Sequence, residues 1–185
     1  MDSCNDKQSP LALTELEKAR IVEELLKRIE EQQQKAEEQG ETFTGLTEKE
    51  IVEKLNSVNT PFLYFQSWSG STPAGGSINY NTGVYNPDPV TRIWMYAHAF
   101  VGPANPVPDT GIALLNVDTR FPRLTQPSFP GLSLSPLGSA TLSFTMNVPA
   151  GMQPSNYLGN TFLFHGEYHG IGTYYARGFW PFIVT

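Results

Sequence analysis

The motif His165-Gly-Glu-Tyr-His169 contains the residue types that could do metal chemistry. On an extended strand, His165, Glu167 and His169 point to one face, where two imidazoles and a carboxylate could converge on Zn or Fe. His98 could add a third imidazole from another strand. Against this, Gly166 favours a bend or bulge that breaks the alternation, and the spacing differs from the H-E-x-x-H of metalloproteases. We therefore interpret these residues as surface or interface groups, with a weak metal site as the alternative, and expect no cofactor.

The remaining sequence carries no catalytic motif that we recognise. It has no G-x-S-x-G motif, and its single cysteine, Cys4, lies in a polar N-terminal stretch without a fixed base. The Gly-rich loop at residues 69–77 lacks the G-K-[ST] of a phosphate-binding loop. Asp88 and Asp109 lie in proline-rich turns, where loop geometry is the simpler role. We expect a protein that is not an enzyme.

Two tryptophans are candidates for ligand contact. Trp68 lies beside the Gly/Ser-rich loop, and Trp180 lies in an aromatic C-terminal run. If exposed, they could stack on a sugar ring or anchor a protein partner, because Trp and Tyr dominate interface hot spots. If buried, they belong to the core of a β domain, which is the simpler interpretation.

The charge of the chain is divided unevenly. Residues 1–57 hold eight Lys and Arg against fourteen Asp and Glu, whereas residues 58–185 hold four Arg, four acidic residues and no Lys. Free monomers usually carry a mixed charged surface, so the neutral part resembles a surface that meets other protein. Neither part supplies the cationic footprint of a nucleic-acid-binding protein, and no nucleic-acid partner is expected.

The N-terminal sequence MDSCNDKQSP has neither a cationic n-region nor an apolar h-region, and no apolar run in the chain approaches 18 residues. We therefore expect no signal peptide and no membrane span, and a cytoplasmic or particle-associated protein. A lone cysteine cannot form an intrachain disulfide, so no disulfide framework is expected.

Residues 14–39 predict a long amphipathic helix. Thr14 and Glu17 form a capping-box pattern, and Gly40 is a natural stop. Apolar residues recur at heptad spacing, which is typical of a coiled coil or a bundle helix and requires a partner. That partner could be the chain's own head, its own copies or another protein. The predicted oligomerisation or docking face consists of Ala19, Val22, Leu25, Leu26, Ile29 and Ala36.

A connector at residues 41–46 leads to a second, short helix at residues 48–56. Thr47 and Glu50 repeat the capping-box pattern. A helix this short is marginal alone, so it must pack on a neighbour. Its apolar side is formed by Ile51, Val52 and Leu55.

From residue 60 onward the pattern changes to strands separated by Gly, Pro and Asn turns. Residues 141–148 alternate cleanly, and residues 91–101 are apolar on both faces, as in a strand covered on both sides. Seven or eight strands predict an antiparallel β-sandwich, either Ig-like or jelly-roll. The predicted organisation is a polar tail (1–13), a helical docking segment (14–57) and a β-sandwich head (60–185). The other predicted strands are 62–68, 77–85, 111–119, 161–168 and 173–184.

Two stretches of the predicted head have a distinctive order of strands and turns. Residues 138–150 form an alternating strand that ends in Val-Pro, and a Gly-containing loop then leads to the strand bearing Tyr157 and to residues 160–164. This order resembles the later strands of bacterial Ig-like adhesion modules, and residues 84–89 are similar to an early strand and turn of these modules. The resemblance implies an Ig-like sandwich, although the heptad helix in front departs from the family.

These patterns favour a non-enzymatic structural or interaction protein that assembles through its N-terminal helix and its neutral head. The expected partners are other copies of the chain or other proteins of an assembly, and a virion, phage or comparable particle component is the most concrete version. A glycan-binding, lectin-like sandwich is the first alternative. A metal-dependent enzyme built on His165, Glu167 and His169 is the second.

Overall fold

The computed structural model of the protein describes residues 12–57, 60–103, 132–165 and 173–185. Two helices and nine strands lie in these ranges. The helices are α1 (Glu15–Gln39) and α2 (Glu48–Ser57). The strands are β1 (Thr42–Gly45), β2 (Phe62–Trp68), β3 (Ser71–Thr72), β4 (Ser77–Tyr85), β5 (Ile93–Pro103), β6 (Leu132–Leu134), β7 (Ser139–Asn147), β8 (Ser155–His165) and β9 (Thr173–Val184).

The strands form two sheets. The first has the order β1-β2-β4-β7, and each of its pairs is antiparallel. The second has the order β3-β9-β8-β5-β6 and is antiparallel except for the short parallel pair of β3 and β9. The predicted mainly β, antiparallel architecture with an N-terminal helix is therefore confirmed. β8 begins at Ser155, earlier than the predicted strand at 161–168, and the predicted strand at 111–119 lies outside the described residues.

Trp180 of β9 brings side chains of the two sheets together. Its ring centroid lies 5.1 Å from that of Tyr80 on β4 and 5.9 Å from that of Phe144 on β7. Its Nε1 donates a hydrogen bond to Thr161 Oγ1 at 3.1 Å. The indole covers Gly159 on the neighbouring strand, where an added Cβ would overlap ring atoms. Only glycine allows so close an approach.

Both helices begin as the sequence predicts. At the start of α1, Thr14 Oγ1 accepts from Glu17 N at 3.2 Å, and Thr14 N donates to Glu17 Oε2 at 2.8 Å. Thr47 and Glu50 form the same reciprocal pair before α2. Gly40 ends α1 with a left-handed φ of 66°. Neither helix has the length and apolar composition that a helix needs to span a bilayer.

The apolar ridge of α1 packs on the first sheet. Ile21, Leu25 and Ile29 are buried in one cluster with side chains of β2 and β4, namely Phe62, Tyr64, Phe65 and Tyr85. Val84, adjacent to Tyr85, belongs to a different cluster because successive side chains of a strand point to opposite faces. Full burial of one Leu or Ile side chain contributes about 1.5–3 kcal/mol, so this ridge fixes α1 to the head.

The sequence predicts a connector at residues 41–46, and this prediction is wrong. β1 pairs with β2, with Thr42 opposite Trp68 and Gly45 opposite Phe65. A Cβ at Gly45 would lie 2.7 Å from Ile29 Cγ2, so glycine is what lets α1 approach this strand. The helical segment is therefore built into a sheet of the head.

Candidate functional site

The predicted metal motif falls largely outside the described residues. His165 is the last residue of β8 and lies opposite Thr173 in the backbone register, whereas Glu167 and His169 are not described. His98 lies on β5 opposite Phe162. Among the residues that the structure describes, no group of three His, Cys, Asp or Glu side chains could hold a metal ion. The metal site stays a prediction.

The structure places Trp68 and Trp180 in the core, which is the simpler of the two interpretations, and rules out their alternative role as ligand-contacting aromatics. Trp68 is 4% exposed and Trp180 is 0% exposed, so neither offers a ring face to a ligand. Trp68 Nε1 donates to the Pro181 carbonyl at 2.7 Å, which satisfies its polar atom inside the protein. The exposed tryptophan is Trp94 on β5, at 57%.

Part of the predicted docking face of α1 is buried inside the chain, and part is exposed. Val22, Leu25, Ile29 and Ala36 are buried within the chain, Leu26 is half-buried and Ala19 is exposed. Burial by the chain's own sheet leaves the buried positions no free face for a coiled coil with another copy. The boundary follows from geometry, because the ridge Ile21, Leu25, Ile29 at four-residue spacing faces the sheet and the flank that includes Ala19 does not.

A groove lies along that flank, between α1 and α2. Its volume is about 360 Å³. The floor is apolar, and the rim is polar and mostly acidic. The lining residues are Glu15, Lys18, Ala19, Val22, Glu23 and Leu26 from α1, with Glu48, Val52, Leu55 and Asn56 from α2. We call this the α1–α2 groove.

The rim charges are only partly neutralised. Lys18 Nζ donates to Glu15 Oε1 at 3.1 Å and to Asn56 Oδ1 at 2.8 Å, which joins the start of α1 to the end of α2. Glu23 and Glu48 have no ion-pair partner within the described part of the chain. On the same helix, outside the groove, Glu24 and Arg28 form an ion pair at 2.7 Å. The groove thus presents two carboxylates that are unpaired among the described residues, those of Glu23 and Glu48, beside an apolar floor.

Two other surface features carry fewer groups that could bind a ligand or a partner. A polar hollow of about 440 Å³ lies at the end of α1 and contains a single carboxylate, that of Glu41. On β9, the Arg177 guanidinium stacks on Phe162 at 4.9 Å and Phe179 at 4.2 Å, and donates to Asn160 Oδ1 at 2.9 Å. This cluster links β8 to β9, and its contacts are those of a structural brace.

The sequence predicts one wall of the groove. Ala19, Val22 and Leu26 belong to the predicted docking face of α1, whereas the contribution of α2 is not predicted. The signal was present, because Val52 follows Ile51 on a helix whose buried ridge is Ile51 and Leu55. An apolar residue beside that ridge widens the stripe beyond what one neighbour covers. Trp94 gave no comparable signal, since it alternates with buried residues on an apolar strand.

The chain matches no protein-family model and no curated protein sequence. The solved C-terminal domain of wzt is similar at a TM-score of 0.50 and 10% identity, over 78% of this chain and 78% of that chain. Spo0M, a sporulation control protein from Bacillus subtilis, has a TM-score of 0.43 and 10% identity, over 69% of this chain and 50% of its own. A CARDB domain from Pyrococcus furiosus, solved with di-metal ions, has a TM-score of 0.42 and 12% identity, over 71% and 97%. The likeness to the wzt domain concerns the fold alone.

Proposed function

We propose that this chain is a non-enzymatic structural or interaction protein that docks into an assembly through the α1–α2 groove. The observation that carries the proposal is that the groove is accessible on the surface, although the main apolar ridge of α1 is buried against the first sheet. Val52 is 39% exposed and Leu26 is half-buried beside it. Contiguous exposed apolar surface with a polar rim is typical of protein contact sites.

The lysine-free head is the second element of the proposal. Its four Arg and four acidic residues leave a surface with little charge repulsion against neighbouring protein. We propose that the head packs against copies of itself or other subunits, as in a virion, phage or other particle. Light scattering of the full chain tests this part, and a monomer at high concentration would contradict self-assembly through the head.

For the head we propose an Ig-like sandwich, with a jelly roll as the alternative. The contact of Trp180 with Tyr80 and the hydrogen bond from Trp68 to the Pro181 carbonyl support it, since each joins one sheet to the other. The resemblance of residues 138–164 to Ig-like adhesion modules favours the first form. Side-chain NMR contacts between Trp180 and Tyr80 test the arrangement of the sheets.

Site-specific photo-crosslinking in the source cells tests the docking function. A photoreactive residue at Val52 lies in the groove, and one at Val90, which is 58% exposed and outside it, is the matched control. We expect a defined protein to crosslink from position 52 and not from position 90. Equal labelling from both positions, or none from position 52, would overturn the groove as a docking site.

Glycan binding is the second candidate, and the observation that favours it is the exposed indole of Trp94. Arg92 Nη1 donates to Ser133 Oγ at 3.1 Å on the adjacent strand, so polar groups lie near the indole. An aromatic face beside hydrogen-bonding groups suits a sugar ring. Binding on a glycan array that is lost in Trp94→Ala and kept in Val90→Ala would favour this function.

A further inference from the structure

We propose that the occupant of the α1–α2 groove is a cationic amphipathic helix of a different protein. This inference rests on the proposed function and specifies its partner. The groove is a channel between two helices, and a third helix fits such a channel by placing its own side-chain ridge between them.

The length of the groove sets the length of the ligand. Its α1 wall runs from Glu15 to Leu26, and the lining residues recur along this wall every three or four positions. At a rise of 1.5 Å per residue this wall is roughly 16 Å long, or about three helical turns. The matching ligand presents apolar side chains at i, i+3 or i+4, and i+7.

The charge of the groove sets the charge of the ligand. Lys18 is already bonded to Glu15 and Asn56, whereas the carboxylates of Glu23 and Glu48 are available on the rim. The surrounding segment, residues 12–57, holds seven Lys and Arg against twelve Asp and Glu. A helix with Lys or Arg beside its apolar stripe is therefore attracted, and an acidic one is repelled.

The same charge argues against a second copy as occupant. The helices that the structure describes, α1 and α2, both carry an acidic excess, and in another copy their own apolar ridges are buried in the cluster with the first sheet. The head of another copy is neutral, with four Arg against four acidic residues, so it offers no net positive charge. We therefore infer that a net cationic helix comes from a different chain.

Fluorescence anisotropy of the full chain with two labelled probes tests the proposal. The probes are designed 14-residue peptides with the same helical leucine pattern, one with Lys and one with Glu at the polar positions. We expect saturable binding of the Lys peptide that weakens with added salt, and no binding of the Glu peptide. Binding of the Glu peptide, or of neither, would overturn the proposal.

Matched variants separate the groove from general attraction to an acidic protein. Glu23→Lys with Glu48→Lys should weaken binding of the Lys peptide by about tenfold, the order expected for two rim charges. Glu30→Lys with Glu31→Lys makes the same charge change on exposed sites outside the groove and should weaken it by less than about twofold. Equal weakening in both variants would mean nonspecific attraction and would overturn the proposal.

The apolar floor is tested in the same way. Val52→Ser should weaken binding, and Val90→Ser should leave it unchanged; both positions are exposed, so folding is retained. Sedimentation that shows self-association lost in Val52→Ser would identify a second copy as the occupant and overturn the partner's chemistry. A groove-specific crosslink with no Lys-peptide binding would overturn this inference alone, whereas an absent crosslink removes the proposed function itself.

Discussion

Tyr80 and Tyr85 are on the same strand, but their hydroxyls have different surroundings. The Tyr80 hydroxyl donates to Gln66 Oε1 at 2.9 Å, whereas the Tyr85 hydroxyl is buried without a hydrogen-bond partner among the described residues. Burial raises the pKa of both phenols well above its usual range. A buried hydroxyl without a partner costs stability, and a bonded one contributes to it.

The two tyrosines give a paired prediction. Tyr85→Phe should raise the free energy of unfolding by about 1 kcal/mol, because it removes an unsatisfied buried group. Tyr80→Phe should lower it by about 1 kcal/mol, because it leaves the Gln66 side chain without its donor. Urea denaturation measures both, and a loss of stability in Tyr85→Phe would show that its hydroxyl has a partner.

At the scale of elements, the sequence predicts the helices better than their packing. The capping boxes at Thr14 and Thr47 fix both starting points through local hydrogen bonds, which a short sequence window contains. The sequence does not predict β1, because a strand of four residues that ends in glycine is too short to carry a periodic signal. Glycine is needed at position 45 because Ile29 of α1 packs closely against it. These two residues are distant in the sequence, so the spacing of residue types does not predict their contact.

The close approach at Gly45 gives the second prediction. Gly45→Val places side-chain atoms against Ile29 and should lower the free energy of unfolding by about 1–3 kcal/mol, the usual cost of overpacking. Thr44→Val is the control, because that side chain is exposed on the same strand. Equal effects of the two substitutions in thermal unfolding would contradict the tight contact between α1 and β1.

The capping boxes give a prediction on pH. Hydrogen bonds from the Thr14 and Thr47 backbone amides hold the pKa values of Glu17 and Glu50 below their ordinary value of 4.5. Carboxyl groups with a lowered folded-state pKa contribute stability that is present above the unfolded pKa and lost as the pH falls through the folded one. Glu17→Gln with Glu50→Gln should therefore flatten the decline of thermal stability below about pH 4.5. Circular dichroism melts from pH 7 to pH 3 measure it, with Glu30→Gln as the control.

At the scale of the whole molecule, the helices and the first sheet share one apolar cluster. A chain of residues 60–185 would expose Phe62, Tyr64, Phe65 and Tyr85, which α1 and α2 cover in the full chain. We expect this truncated chain to aggregate and to bind a hydrophobic dye, while the full chain unfolds in one cooperative transition. A truncated chain that stays soluble, folded and as heat-stable as the full chain would show that the helices are an independent appendage.

The division of charge was visible in the sequence, and its structural meaning was not. Composition identifies an acidic helical part and a neutral head. It does not predict that α1 packs on the first sheet, because this packing depends on which face of the sheet is apolar. Phe62, Tyr64, Phe65 and Tyr85 lie on two paired strands whose register shifts between Leu63 and Phe65, so their shared face emerges only once β2 and β4 are aligned. Trp180 and Trp68 are ambiguous for the same reason, because each contacts a residue of the other sheet that is distant in the sequence, Tyr80 and Pro181 respectively.

The helix α1 is fixed to its own head, and we propose that the α1–α2 groove remains as the surface for a partner. Hydrogen exchange of the full chain, with and without the Lys-rich probe peptide, tests this proposal most directly. We expect added protection in residues 15–26 and 48–56 at saturation, and none in β6 or β7. Protection confined to other elements, or no change in those two segments, would contradict it.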